Sequence, residues 1–104
     1  MQKIDTEEQF NEICNSGELA IIKFGLPSCM PCKMSEEVLE EMEKKIDVLK
    51  IYVCENIDLM TSLNISNIPV LYLVSDNDAE RLNAYDCLDE LEEILTNWYN
   101  NNKN

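Results

Sequence analysis

Two cysteines three residues apart constrain this chain more than any other feature. Cys29 and Cys32 directly follow the apolar run 20–24 and directly precede a segment with helical periodicity. In an α-helix, residues i and i+3 share a face, so the two sulfurs can close a short disulfide ring across the first turn. The free backbone N–H groups and the positive dipole end at a helix start stabilise an anion, and the thiolate is the form of cysteine that attacks. A strand, a C-x-x-C pair and a helix in this order therefore strongly indicate redox-active thiols.

Length and charge narrow the class of protein. The 104 residues are enough for one domain with a hydrophobic core, and we expect a single domain over residues 1–104. The net charge of −13, from 8 basic and 21 acidic residues, argues against binding to nucleic acid or to an anionic membrane surface. The first residues show no apolar signal-peptide core, and no apolar stretch reaches membrane-spanning length. These features predict a cytoplasmic protein with no membrane partner.

Three further cysteines, Cys14, Cys54 and Cys87, are scattered singly along the chain. An odd total of five does not fit the disulfide framework of a secreted protein. Lone cysteines in a reducing compartment are usually small buried hydrophobes. A zinc site usually needs four cysteine or histidine ligands, and the sequence contains no histidine, so we predict no metal site.

The helices and strands alternate along the chain. Thr6 and Gln9 form a capping box that starts a first helix, and Gly17 suits the left-handed position after its end. Residues 19–24 are nearly all apolar and predict a strand buried on both faces, and Ser28 is the predicted N-cap of a helix over about 29–45. The remaining predictions are a strand over 47–53, a short helix over 56–63, a strand over 69–74, a turn over 75–78, an edge strand over about 79–85, a final helix with apolar residues between 88 and 98, and a frayed polar tail over 100–104.

This order predicts an α/β fold with a mixed sheet of four to five strands and helices on both faces. Strand–helix–strand crossovers make neighbouring strands parallel, whereas the late pair joined by a tight turn is antiparallel. Whether the chain opens with a strand before the first helix is left undecided by the sequence.

With the motifs at 29–33 and 67–70, this order resembles the thioredoxin family over essentially the whole chain. The resemblance implies the thioredoxin fold, with Cys29 as the exposed nucleophile, Cys32 as the buried resolving thiol and Pro69 as a cis-proline facing the sulfurs. It also implies that Ile68 holds an extended substrate segment through its backbone. Lys50 falls where the family carries a lysine near the active site.

Several residues depart from the family pattern. Ser28 replaces the usual tryptophan, Gly25 replaces an aromatic residue, Val70 replaces a threonine, and the residues between the two cysteines are Met30 and Pro31. Met30 is expected on the exposed rim, where it offers partners an adaptable apolar contact. The predicted substrate-binding residues are Met30, Pro31, Ile68 and Pro69.

The most informative departure is Lys23, which stands where the family has a buried aspartate that manages the proton of the resolving thiol. Two interpretations of Lys23 are equally open. Its ammonium group lies near the sulfurs, lowers the thiolate pKa and makes the couple more oxidising, or its side chain extends to the surface and has no role.

The resemblance implies a disulfide reductase of proteins that cycles Cys29 and Cys32 between dithiol and disulfide. Such a protein needs no bound cofactor, and its partners are disulfide-containing proteins and a thioredoxin-reductase-type electron donor; a monomer is expected. Two alternatives stay open: a more oxidising disulfide exchanger or isomerase, favoured by Lys23, and a non-catalytic acidic adaptor with the same fold.

Overall fold

A computed structural model describes residues 1–76 and 78–103, which form a mixed sheet between two layers of helices. The strands are β1 (Gln2–Ile4), β2 (Ala20–Phe24), β3 (Lys50–Cys54), β4 (Val70–Ser75) and β5 (Asp78–Leu82). The helices are α1 (Glu7–Cys14), α2 (Met30–Lys45), α3 (Ile57–Ser62) and α4 (Leu91–Asn102), with short 3₁₀ turns at Ala84–Asp86 and Leu88–Glu90. None of the helices in this part of the chain is long and apolar enough to cross a membrane.

Strand β2 is the centre of the sheet, whose order is β1-β3-β2-β4-β5. It runs parallel to β3 and antiparallel to β4, and its last residue, Phe24, pairs with Cys54 on one side and Val70 on the other. All five residues of β2 are buried because both faces of the strand are covered by helices. The predicted fold class, with parallel crossovers and a late antiparallel pair, is confirmed.

A hydrophobic core lies on each face of the sheet. On one face, Phe10, Phe24 and Tyr72 pack edge to face, with ring centroids 5.1 to 5.8 Å apart, and α1 and α3 cover them. On the other face, Ile21 packs with Leu39 of α2 and with α4. Because successive residues of β2 alternate between these faces, Lys23 lies on the α2 side, next to Ile21 along the strand.

The N-terminal half differs from the sequence prediction mainly at element ends. The chain does open with a strand, β1, which pairs in parallel with β3. The capping box of Thr6 and Gln9 is present, and Gly17 has a φ of 77°. The N-cap of α2 is Cys29 and not Ser28, because the Cys29 sulfur accepts the hydrogen bond that a serine oxygen was expected to accept.

The C-terminal half of the structure differs more from the sequence prediction than the N-terminal half does. The edge strand ends at Leu82, where Ala84–Asp86 turns away as a 3₁₀ segment. The prediction of a frayed tail over 100–104 is wrong for residues 100–102, which continue α4, with the Asn102 side chain donating a hydrogen bond to the Trp98 carbonyl at 2.8 Å. Asn77 of the predicted turn over 75–78, and Asn104, lie outside the described residues.

Candidate active site

The cysteine pair lies at the start of α2, at the end of the sheet where β2 finishes. Cys29 and Cys32 form a disulfide, with their Cα atoms 5.2 Å apart. The Cys32 backbone N–H donates to the Cys29 sulfur at 3.2 Å, and Pro31 occupies the first turn, where its missing N–H costs nothing. Cys29 is half-buried and Cys32 is fully buried. An incoming molecule can therefore reach the first sulfur more readily than the second.

Gly25 allows the second cysteine to pack directly against the end of β2. A Cβ atom at this position would lie 2.7 Å from the Cys32 Sγ, which is closer than such atoms approach, and 3.2 Å from the Cys32 Cβ, which is a tight contact. In this chain the Cys32 sulfur therefore occupies space that the side chain of an aromatic residue at position 25 would need.

Pro69 lies beside the same end of β2. The Ile68–Pro69 peptide bond is cis, Pro69 is buried, and its carbonyl accepts a hydrogen bond from the Tyr85 N–H at 3.0 Å. Because Val70 pairs with Phe24, the antiparallel register places Pro69 next to Gly25, against which Cys32 packs. Ile68 is half-buried and remains accessible at the edge of this region.

Two methionines are exposed on the first turns of α2. Met30 is 65% exposed and Met34 is 48% exposed, and the four-residue spacing brings them to one side of the helix. The helical spacing of Met34, Val38, Leu39, Met42 and Ile46 predicts a buried stripe that includes Met34, and for Met34 this prediction is wrong. The side of α2 that faces the sheet is the side that carries Cys32, and Met34 lies outside it. The buried residues of this helix are Cys32, Ser35, Leu39 and Met42.

Lys23 is buried, with only 3% of its surface exposed. Its Nζ lies 2.7 Å from Oε2 of Glu36, a half-buried residue of α2. The interpretation in which Lys23 extends to the surface is therefore wrong. Glu36 lies within an acidic run that is typical of a solvated helix face, so its composition does not distinguish it. Its position four residues after Cys32 is the signal that places it on the same side of α2.

Lys50 does not lie near the cysteines, which corrects the prediction drawn from the resemblance. It is exposed and pairs with Ala20 at the opposite end of β2 from Phe24. With about 3.3 Å per residue, four residues of strand place it roughly 13 Å from that end. The residue of β3 that pairs with Lys23 is Val53, which is uncharged.

The other three cysteines are free thiols that take no part in the Cys29–Cys32 disulfide. Burial raises the pKa of Cys14, of Cys54 and of Cys87, and for Cys87 the carboxylates of Glu90 and Asp86 raise it further. All three are unpaired, and among residues 1–76 and 78–103 no group of three or more potential ligands is placed to hold a metal ion.

Comparison with known proteins decides the family. The thioredoxin family model matches residues 1–98. The chain belongs to the thioredoxin family. Similar thioredoxins occur in Staphylococcus haemolyticus and Staphylococcus aureus, each 30% identical to this thioredoxin-family chain over 95 residues, with 86% of the chain and 90% of the relative covered.

Solved thioredoxin structures share the fold. Oxidised thioredoxin O2 from Arabidopsis thaliana superposes with a TM-score of 0.75 at 19% identity, covering 94% of this chain and 93% of that one. Thioredoxin from Fasciola hepatica superposes with a TM-score of 0.76 at 19% identity, covering 93% of this chain and 98% of that one.

Family membership and the C-x-x-C pair together make this thioredoxin-family protein a thiol–disulfide oxidoreductase. Its electrons are carried on a cysteine pair, as in the family, without a cofactor. Disulfides are its substrates and a reductase is its electron source, again as in the family.

Proposed function

We propose that this protein reduces disulfides of other proteins, with Cys29 as the nucleophile and Cys32 as the resolving thiol. The observation that carries the assignment is the difference in burial: Cys29 is half-exposed at the start of α2, whereas Cys32 is fully buried beneath it. The helix start and its free N–H groups stabilise a thiolate on Cys29.

The cycle has two exchange steps. The Cys29 thiolate attacks one sulfur of the substrate disulfide, that disulfide breaks, and the departing substrate sulfur takes up a proton. Cys32 then loses its proton and attacks the Cys29 sulfur, which breaks the mixed disulfide and releases the second substrate thiol. Two electrons have passed to the substrate, and the protein is left with the Cys29–Cys32 disulfide present in the structure. A reductase supplies two electrons to reopen it.

The proposed substrate contacts surround the reactive sulfur. Met30 and Pro31 are exposed between the two cysteines, and Ile68 and Pro69 precede β4 beside the same strand end. The unbranched, polarisable Met30 side chain adapts to partners of different shape. In this proposal the backbone of Ile68 pairs with an extended substrate segment, which makes recognition depend on main-chain atoms more than on substrate sequence.

The same proposal covers the electron donor, the oligomeric state and the compartment. The donor is of the thioredoxin-reductase type, the protein is a monomer, and its compartment is the cytoplasm. The three single cysteines, Cys14, Cys54 and Cys87, suit a compartment in which thiols stay reduced. Reduction of the pure protein by a thioredoxin reductase and NADPH, followed by size-exclusion chromatography, checks the donor and the monomer.

The decisive experiment is trapping of the mixed disulfide. With Cys32→Ser, proteins should accumulate covalently on Cys29 and be released by a reductant, whereas Cys29→Ser should trap nothing and should not reduce insulin disulfides. Cys87→Ser is the matched control, because it removes a half-buried single thiol. Insulin reduction at the normal rate by Cys29→Ser would contradict the assignment.

A more oxidising exchanger is the second candidate, and the buried Lys23 is the observation that favours it. A redox titration with glutathione separates the two functions. A potential near about −270 mV is that of a thioredoxin-type reductant, whereas a value above about −200 mV approaches that of disulfide isomerases.

A further inference from the structure

Lys23 is the one buried charged side chain among the described residues, and it lies beside the cysteine pair. The Cys32 Sγ and the Lys23 Cε lie 2.7 and 3.6 Å from the point where a Cβ of Gly25 would stand. The sulfur and the Cε are therefore separated by no more than the sum of these two distances. No side chain of residue 25 stands between them, because Gly25 has none.

We propose that the Lys23–Glu36 ion pair sets the charge around the resolving sulfur: Glu36 holds the Lys23 ammonium group inside the protein, and the ammonium group stabilises the Cys32 thiolate. This inference rests on the proposed roles of Cys29 and Cys32 in the exchange cycle. In it, Glu36 is a positioning residue that acts through Lys23.

The surroundings of Lys23 explain why it needs Glu36. On the neighbouring strands its partners are Val53 and Leu71, which are apolar and offer no charge. An unpaired ammonium group at such a site carries a large desolvation cost, which a close carboxylate offsets. Glu36, at 2.7 Å, is the only ion-pair partner of Lys23 within the part of the chain that the structure describes.

The other charged groups near this face are exposed to water. Lys33 lies on α2, and Asp86, Asp89 and Glu90 lie in the 3₁₀ turns that pack against that helix. Solvent and salt screen such exposed charges, whereas a buried charge is screened far less. The Lys23 charge therefore contributes more to the electrostatic field at Cys32 than any one of these exposed acidic residues does.

The ammonium group acts where Cys32 becomes charged. In the second exchange step, the buried Cys32 thiol releases its proton to solvent and attacks the Cys29 sulfur as a thiolate. Burial alone favours the neutral thiol and slows this step, while a nearby cation favours the thiolate. Stabilising the thiolate also stabilises the reduced protein, which makes the couple more oxidising.

The first test compares Lys23→Met with Lys23→Arg in redox equilibrium with glutathione. We expect Lys23→Met to move the equilibrium constant at least about tenfold towards the disulfide form, equivalent to about 30 mV, and Lys23→Arg to stay within about threefold of the parent. An unchanged constant in Lys23→Met would overturn the proposal. If Lys23→Met does not fold, Lys23→Gln removes the charge while keeping polar hydrogen-bonding atoms.

A spectroscopic readout separates an electrostatic effect from a structural one. The ultraviolet absorbance of Cys32 thiolate is obtained as the difference between Cys29→Ser and the Cys29→Ser, Cys32→Ser double variant at each pH. Adding Lys23→Met to both should move the midpoint of this titration to higher pH. A midpoint that does not move would assign Lys23 a packing role only.

Glu36→Gln tests the positioning role, with Glu40→Gln, one turn further along α2, as the matched control. Without its carboxylate, the buried ammonium group is released to water or loses its proton, so Glu36→Gln should shift the equilibrium in the same direction as Lys23→Met. In a Lys23→Met background it should have no further effect. An equal shift in both backgrounds, or none in either, would remove Glu36 from the proposal.

Different results would contradict the proposed function and the role of the Lys23–Glu36 ion pair. If the parent protein neither reduces insulin nor forms the Cys29–Cys32 disulfide, the proposed function is wrong. If the parent is active and Lys23→Met retains its potential and thiolate titration, only the role of the Lys23–Glu36 pair is wrong.

Discussion

At the scale of single residues, we expect a substitution of Gly25 to change the stability of the protein by an amount that depends on its redox state. Gly25→Ala places a methyl carbon 2.7 Å from the Cys32 Sγ. Overpacking of this kind costs about 1–3 kcal/mol, and the disulfide ring prevents the sulfur from turning away. We expect the free energy of unfolding to fall by about that amount in the oxidised protein and by less in the reduced one, measured by urea denaturation.

Gly17→Ala is the control for this measurement. Gly17 has a φ of 77°, and a Cβ added there would meet only Asp76 Oδ1, at an ordinary contact distance of 3.9 Å, so its alanine variant costs roughly 1–2 kcal/mol through the backbone. That cost should be equal in the oxidised and reduced proteins. If Gly25→Ala also lowered both stabilities equally, contact with the sulfur would not be the cause.

The single cysteines give a second prediction at this scale. Because burial raises the pKa of Cys14 and of Cys54, both are thiols at neutral pH, and thiols alkylate slowly. In the reduced protein at pH 7, we expect iodoacetamide to label Cys29 first, with labelling of Cys14 and Cys54 rising only as the pH approaches their raised pKa values. Peptide mass spectrometry locates each label; early labelling of Cys54 would contradict the expectation.

The raised pKa values also fix the sign of a pH effect on the reduced protein. The folded state favours the neutral thiols, so their contribution to stability is fully present below the unfolded cysteine pKa of about 8.5. It is lost as the pH rises through the higher folded-state values.

The sequence could predict individual site residues only where local spacing determines them. Cys29 and Cys32 follow from an i, i+3 pair at a strand–helix junction, and the structure joins them. Lys50 lies nineteen residues before Pro69, which is where the family carries its lysine, but such a count does not fix the strand register. The register pairs Lys50 with Ala20, away from the cysteines. The i, i+4 spacing from Cys32 places Glu36 on the same side of α2, but its pairing depends on which buried side chain faces it across the sheet–helix interface, which local spacing does not determine.

At the scale of secondary-structure elements, the capping box of α1 should contribute measurably to stability. The Thr6 hydroxyl accepts from the Gln9 N–H at 3.1 Å, and the Gln9 side chain accepts from the Thr6 N–H at 3.1 Å. Thr6→Ala should lower the free energy of unfolding by about 1 kcal/mol. Thr61→Ala, at an exposed position inside α3, is the control and should change it by less than about 0.5 kcal/mol. Equal effects would show that the cap is not the cause.

The elements themselves were largely predictable, and their ends were not. The apolar run that became β2 and the alternating pattern of α2 identify strand and helix because their periods differ. The three-residue β1 is too short to show a period and forms because β3 offers it a parallel edge. Residues 100–102 look like a polar tail, yet α4 continues through them, since backbone hydrogen bonds and the Asn102 side chain extend its last turn.

At the scale of the whole molecule, the charge is the feature with a testable consequence. The chain carries 21 acidic and only 8 basic residues in a body measuring 34 × 30 × 20 Å. The ion pairs among the described residues are those of the N-terminus with Glu43, Lys3 with Glu55, Lys23 with Glu36 and Lys44 with Glu41. Most carboxylates therefore repel one another across the surface, which disfavours the compact state.

Salt should consequently stabilise the fold at neutral pH. The screening length is about 30 Å at 0.01 M ionic strength, comparable with the molecule itself, and about 8 Å at 0.15 M. We expect Tm to rise with added NaCl, and each kcal/mol gained corresponds to roughly 4–8 °C for a chain of this size. KCl should act equally, because screening does not depend on which monovalent cation is used. A variant with Glu37, Glu40 and Glu92 changed to Gln carries fewer exposed negative charges and should show a smaller rise. If the variant and the parent gained equally, or if salt lowered Tm, repulsion between surface carboxylates would not be what limits the stability of the folded chain.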